Sequence, residues 1–291
     1  MQDENFASTN CEDYWDKPES VAKYSAEPFL YRGERSALSS CFPDGLEGRR
    51  VLDLACGAGR TTYFLHKMGA DVVGVDISQN LIHAAREHFP DIDFRRGDAE
   101  FLDFADASFD VVLFSYNSID YLYPKEKRLN SIREIWRVLS PDGRFIFSHH
   151  NFGALFFGWY RTMRPAKLLY RAKHIFNGNA FRKECFLPEY EFPDMKTYYA
   201  WSQQVTADLQ ELGFELIHVY ANDPVLVALQ RTLRTTWFTK LADPWPYYIF
   251  RKPSPKQRWN DDRRKTTDSM NLYETPAGRL GEQPQRRKVA P

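Results

Sequence analysis

Between residues 49 and 150, short apolar runs alternate with longer segments of helical spacing. The runs are "RRVLDLA" (49–55), "DVVGVD" (71–76), "IDFRRGD" (92–98), "FDVVLFS" (109–115) and "RFIFSHH" (144–150). Their length and their β-branched or aromatic content predict strands, and the near-continuous apolar ones predict strands covered on both faces. Among the segments between, "RTTYFLHKMG" (60–69) stops on a glycine, and "QNLIHAAREHF" follows Ser78, whose hydroxyl suits a helix N-cap. "KEKRLNSIREIWRVL" (125–139) sets Leu129, Ile132, Ile135, Trp136 and Leu139 on one helical face. Strands alternating with helices predict an α/β fold, a mostly parallel sheet with helices on both faces. Such sheets bind ligands beyond the carboxyl ends of their strands.

The rhythm breaks at 152–197 and then resumes. "YYAWSQQVTADLQELG" (198–213) predicts a helix, and "FELIHVY" (214–220) and "WPYYIFRK" (245–252) bring the strands to seven. A short helix is expected near "PVLVALQRTLRTTW". Residues 1–47 read as an N-terminal helical cap with aromatics spaced through it, among them Tyr14, Trp15 and Tyr24. Residues 48–253 carry the α/β domain, and 254–291 read as a disordered basic tail.

The chemistry starts at "ACGAGRTT". Gly57 and Gly59 let the backbone approach a ligand closely, and the helix that follows aims its free N–H groups there. Asp76 ends the second strand, 17 residues after Gly59, where a carboxylate can accept two hydrogen bonds from a ribose diol. A dinucleotide fingerprint needs a third glycine, and Thr62 stands in its place.

"VLDLACGAG" resembles motif I of the class I S-adenosylmethionine-dependent methyltransferases, V-L-D-x-G-C-G-x-G, with Ala55 in place of the first glycine. "RRGDAEFLDFADASFDVVLFS" and "EIWRVLSPDGRFIFS" resemble that family's later motifs, in order, over residues 48–151. The resemblance implies a Rossmann-like, doubly wound, mostly parallel seven-stranded sheet and S-adenosylmethionine as cofactor. It implies a cofactor site of Asp53, Ala55, Gly57 and Gly59 at the turn, Asp76 on the ribose and Ile77 against the adenine. Asp98 and Ala99 would read the adenine edge, with Tyr116 and Asn117 near the methyl end. Asp53 also suits a role in orienting the turn, and Asp98 an Asx turn.

Two residues are candidates for the transfer itself. Tyr14, with Trp15 beside it, resembles an aromatic lid whose ring contacts the sulfonium, although either ring also suits core packing. His150 ends the fifth strand beside Asn151 and is the candidate proton acceptor; His149 must face the other way while the strand stays regular. Either histidine also suits a structural role. The stretch 152–197 occupies the place of a substrate lid, with Trp159 and Arg161 as candidate acceptor contacts. The same stretch also reads as a helix with a solvated basic face, or as an interfacial element that captures a lipid-like substrate.

Composition narrows the partners. Formal net charge is zero, which gives no footprint for nucleic acid. The distribution is uneven: from Arg251 onward there are 11 basic and 5 acidic residues, a net +6, so residues 1–250 carry −6. Cys11, Cys41, Cys56 and Cys185 form no CxxC pair and no metal-ligand spacing, so no metal is expected and a reducing, cytoplasmic setting is. No apolar run is long enough for membrane insertion. The expected partner is a small-molecule acceptor, acidic or apolar-aromatic; no oligomeric state follows from the pattern. A nicotinamide-dependent oxidoreductase and a non-catalytic cofactor-binding module are the alternatives.

Overall fold

A computed structural model describes residues 11–25, 27–153, 165–178, 184–188, 195–234 and 236–255. Three helices come first: α1 (Cys11–Trp15), α2 (Pro18–Tyr24) and α3 (Arg32–Cys41). The alternating block follows as β1 (Arg50–Leu54), α4 (Arg60–Lys67), β2 (Asp71–Asp76), α5 (Gln79–His88), β3 (Asp93–Arg96) and β4 (Phe109–Phe114). A 3-10 turn at Ser118–Tyr121 leads to α6 (Lys125–Val138) and β5 (Leu139–Ser148). Then come β6 (His150–Asn151), α7 (Pro165–Phe176), β7 (Glu184–Pro188), β8 (Lys196–Ala200) and α8 (Ser202–Glu211). The last elements are β9 (Glu215–Tyr220), α9 (Pro224–Leu233), α10 (Trp237–Ala242) and β10 (Tyr247–Arg251).

Seven strands form one sheet in the order β3-β2-β1-β4-β5-β10-β9. The five strands from β3 to β5 pair in parallel, and β10 runs antiparallel to both β5 and β9. The doubly wound fold expected from the alternation is therefore present. Strand β4 shows why its sequence is apolar throughout. Val112 and Phe114 join Ile132 and Ile135 of α6 on one face, while Val111 and Leu113 meet Leu38 of α3 and Leu65 of α4 on the other. Both faces exclude water, so the alternation that marks a one-sided strand is lost.

Two readings need correction. The predicted helix at 198–213 begins only at Ser202, because Lys196–Ala200 is extended. Tyr198 and Ala200 point into the main core and Tyr199 turns the opposite way, to Phe152 and His150. This strand is the centre of a second, three-stranded sheet, β6-β8-β7. The buried face of α6 is also shifted. Leu129 is only half-buried, and Arg128 is fully buried beside Ile132 and Ile135, its guanidinium 4.3 Å from the centre of the Tyr198 ring.

Residues 254–291 separate from Met1–Pro253 as a second unit, and those beyond Pro255 lie outside the described residues. Among the described residues, no helix is long and apolar enough to cross a membrane.

Candidate active site

A cavity of about 570 Å³ opens beyond the carboxyl ends of β1, β2 and β4, where a parallel sheet leaves its strand ends open. Its floor is the turn after β1. Ala55 holds a φ of 55° and Gly57 one of 56°. The left-handed value at Ala55 explains why glycine is usual there, since a Cβ is disfavoured in that region. No atom lies within 4 Å of the place a Gly57 Cβ would occupy, so this backbone faces open space. Gly59 serves differently. Its φ is 87°, it precedes α4, and a Cβ on it would lie 2.8 Å from the Phe94 ring. It lets the helix close on the sheet and does not line the cavity.

The two strand aspartates divide the remaining work. Asp53 turns away from the cavity, and its Oδ2 accepts from the hydroxyls of Thr61 and Thr62 at 2.7 and 2.6 Å. Burial raises its carboxyl to about 6 despite those donors. Asp53 therefore ties β1 to the first turn of α4. Asp76 lines the cavity while accepting the Gly57 N–H and the Ser78 N–H, both at 2.9 Å. A carboxylate has about four acceptor positions, so capacity remains for a ligand hydroxyl. Burial pushes its pKa upward, against the backbone donors of Ser78, Gly57 and Ile77.

Ile77, Asp98 and Ala99 lie on the same wall. Asp98 Oδ1 accepts the Glu100 N–H at 2.9 Å, an Asx turn that fixes the carboxylate at the rim. Tyr116 lines the cavity and Asn117 does not. Both hold positive φ, 55° and 60°, and the Asn117 N–H donates to Ser148 Oγ at 2.9 Å. Asn117 thus holds the loop that presents Tyr116. Cys56 is a buried free thiol whose pKa is pushed well up by burial, which suits packing and not attack.

The opposite wall is aromatic. Trp15 and Tyr24 reach it from α1 and α2, Tyr31 stacks on Tyr116 at 5.0 Å, and Tyr121 closes the far end. Tyr14 is not on the wall; it stands edge-on behind Trp15 at 5.0 Å. Trp159 and Arg161 lie outside the described residues.

His149 and His150 face opposite ways, as the alternation predicts. His149 is buried against Tyr248, with Nε2 3.0 Å from the hydroxyl, and burial holds its pKa well below the usual value. His150 pairs with Asp120: Nδ1 lies 3.0 Å from Oδ2, and the same oxygen accepts the His150 N–H at 2.6 Å. Asp120 is fully buried, and burial raises its pKa while His150 and Arg128 oppose the rise. The His150 ring is one ring behind the cavity wall, 6.1 Å from Tyr121 and 6.5 Å from Trp245.

Sequence reasoning missed Asp120 and a second buried cluster. Glu34 of α3 is fully buried, binds the Arg60 guanidinium at 2.6 and 2.8 Å, and accepts from the Tyr31 N–H at 2.7 Å. Ser115 and Tyr247 donate to it as well. Arg60 also lies over the Tyr31 ring, 5.0 Å from its centre, and lines the cavity. One signal was available. Arg60 opens α4, where a helix dipole disfavours a cation, so an acidic partner from elsewhere was needed. No local signal marks Asp120, whose partner is 30 residues away.

A glycine floor, a buried acid at the end of the neighbouring strand and a rim carboxylate line one cavity at the strand ends, the arrangement of the nucleoside-binding enzymes of the doubly wound class. A methyltransferase-domain family model matches residues 51–143. A demethylmenaquinone methyltransferase from Renibacterium salmoninarum is 30% identical over 194 residues, 64% of this chain and 75% of the relative. A phthiotriol/phenolphthiotriol dimycocerosates methyltransferase from Mycobacterium ulcerans is 38% identical over 107 residues, 35% of this chain and 38% of the relative. Among solved structures, a SAM-dependent methyltransferase from Methanosarcina mazei superposes with a TM-score of 0.54 at 17% identity, over 74% of this chain and 97% of that one. The chain belongs to the class I S-adenosylmethionine-dependent methyltransferases. It is a transferase whose cofactor is S-adenosylmethionine, and the oxidoreductase alternative is set aside.

Proposed function

We propose that this enzyme methylates a small, apolar or aromatic acceptor seated between the glycine floor and the aromatic wall. The carrying observation is that wall: Trp15, Tyr24, Tyr31, Tyr116 and Tyr121 face the strand ends across one cavity. Demethylmenaquinone and phthiotriol dimycocerosates, named in the two relatives, support an acceptor of low polarity. Bound S-adenosylmethionine supplies an electrophilic methyl group on a sulfonium. On this reading Ala55 and Gly57 approach its methionine part, Asp76 binds its ribose, Ile77 packs on the adenine, and Asp98 with Ala99 holds the adenine edge. Trp15 and Tyr116 exclude water and face the sulfonium with their rings. Asp53, Gly59 and Asn117 act through the backbone they hold. Where the acceptor must lose a proton, His150 accepts it once the Tyr121 ring in front of it moves aside. Asp120 takes its Nδ1–H, which leaves Nε2 as the basic nitrogen. The free thiols of Cys41 and Cys56 support a cytoplasmic setting.

Incubation with methyl-labelled S-adenosylmethionine and an extract of quinones and phenols is expected to give a labelled apolar product. With that product in hand, His150→Gln is expected to keep S-adenosylhomocysteine affinity and to lower acceptor kcat/KM by roughly 10²-fold or more. Its pH profile should lose the acidic limb. Exclusive labelling of polar metabolites or protein would overturn the acceptor class. An unchanged pH profile would remove His150 from the reaction.

A further inference from the structure

Eleven large apolar side chains are exposed among the described residues, and five of them fall between residues 225 and 238: Val225, Leu229, Leu233, Trp237 and Phe238. The first three recur at i, i+4 and i+8 along α9, in one stripe. Trp237 is 59% exposed at the start of α10, with its ring 4.6 Å from that of Phe238. A soluble surface rarely gathers such residues without a use for them.

The charge carried by this segment of chain is of one sign. Residues 224–242 hold Arg231, Arg234 and Lys240 and no acid. The acids at the two ends turn inward. Asp223 caps α9 by accepting from the Val225 and Leu226 N–H groups, and buried Asp243 accepts from those of Asn222, Asp223 and Trp245. On the other flank of α9, a groove of about 480 Å³ separates the helix from α3 and β9. Arg231, Arg234, His218, Ser36 and Ser40 line it. Among the described residues neither arginine has a carboxylate partner.

We propose that the α9–α10 face docks reversibly on an anionic lipid surface. The apolar stripe and Trp237 enter the interface between headgroups and acyl chains, and Arg231 and Arg234 bind headgroup phosphates at the groove. An exposed apolar row on a segment whose only charges are cations is what such a surface selects. A second copy of the chain would bring the same cations together and is disfavoured by that charge. This docking is independent of the acceptor and of the proton acceptor described above.

The test is flotation of the full chain with vesicles of phosphatidylcholine alone or with about one-third phosphatidylglycerol, at low and high salt. Binding is expected only to the anionic vesicles, to weaken with salt, and to shift the Trp237 emission to the blue, a shift absent from Trp237→Phe. Leu233→Glu with Trp237→Glu is expected to abolish binding. Arg231→Gln with Arg234→Gln should weaken it roughly 30-fold, from about a fivefold loss per cation. S-adenosylhomocysteine affinity, measured on the same preparations, should stay at the wild-type value and report a folded core. Equal binding to neutral vesicles, or variants that float like the wild type, would overturn the proposal. So would a dimer that dissociates in the glutamate variant without any vesicle binding, or protection of the groove by inorganic phosphate alone.

Discussion

Asp53 and Asp76 sit on adjacent strands and are both buried, yet they behave differently because of where their donors come from. Asp76 is expected to hold the cofactor ribose. Removing it takes away two charge-assisted acceptors, each worth roughly 1.5–3 kcal/mol, so Asp76→Ala should weaken S-adenosylhomocysteine binding about 100-fold or more by calorimetry. Unchanged affinity in a folded variant would place the ribose elsewhere. Asp53 takes no part in the ligand wall, and its effect is on stability. Burial raises its pKa from 3.8 to about 6. The folded state therefore binds this proton more tightly than the unfolded chain. The stability that it contributes is fully present below about pH 4 and is lost as pH rises through 6. Asp53→Asn keeps an acceptor for the two threonine hydroxyls and cannot ionise. Its stability relative to the wild type should rise by about 2 kcal/mol between pH 4 and pH 7, read by denaturant unfolding. A difference that does not change with pH would show that Asp53 stays ionised. The place of Asp76 on the cavity wall was legible from its distance to the glycines. That of Asp53 was only half legible, because its direction depends on where α4 places Thr61 and Thr62.

At the scale of elements, the short helices α1 and α2 close the cavity, and they are pinned by an ion pair from Glu12 to Arg96 and by Asp16. The Asp16 carboxylate lies at the N-terminus of α5, where it accepts from the Ser78 hydroxyl and from the Asn80 N–H at 3.1 Å. Asn80 Nδ2 returns a bond to the Asp16 carbonyl at 2.9 Å. Through this contact Trp15 reaches the wall, 5.4 Å from the Tyr24 ring and 5.5 Å from Tyr121. Asp16→Ala is expected to weaken cofactor binding about five- to tenfold and to raise proteolysis between α1 and α2. The core should melt within a few degrees of the wild type. Unchanged affinity would separate α1 and α2 from the cofactor. Strands β1, β2, β4 and the end of β5 were legible because both of their faces are buried, which leaves an apolar run that few other structures produce, whereas the edge strand β3 buries only Phe94. Strand β8 was not. "YYAWSQQ" carries aromatic residues that suit a helix or a strand, and the deciding partners, β6 and β7, are non-local. The pairing of His150 with Asp120 is illegible for the same reason, although the opposed facing of the two histidines followed from strand geometry alone.

The whole molecule is organised by the order of its sheet. Strand β9 touches the sheet only through β10, which fills the place between β5 and β9. Tyr247, Tyr248, Ile249 and Phe250 are all buried there. A chain ending at Pro253 keeps every strand and should fold, bind S-adenosylhomocysteine and melt like the full chain. A chain ending at Pro246 loses an inner strand, and calorimetry should show no cooperative transition. A large loss of stability in the first would show that the tail packs on the core, and a normal melt in the second would show that β5 and β9 can join without β10.

That arrangement acquires a direction once the chain is considered as it is made. β5 leaves synthesis with its outer edge bare, and β9 follows it with nothing to pair to. Both must wait for the residues that come out last. The exposed edge of β5 is a row of unpaired N–H and C=O groups between apolar side chains, of the kind that captures other strands. The interval that most needs chaperoning is therefore the one between the completion of Tyr220 and the arrival of Tyr247, and it is filled by the residues that form α9 and α10.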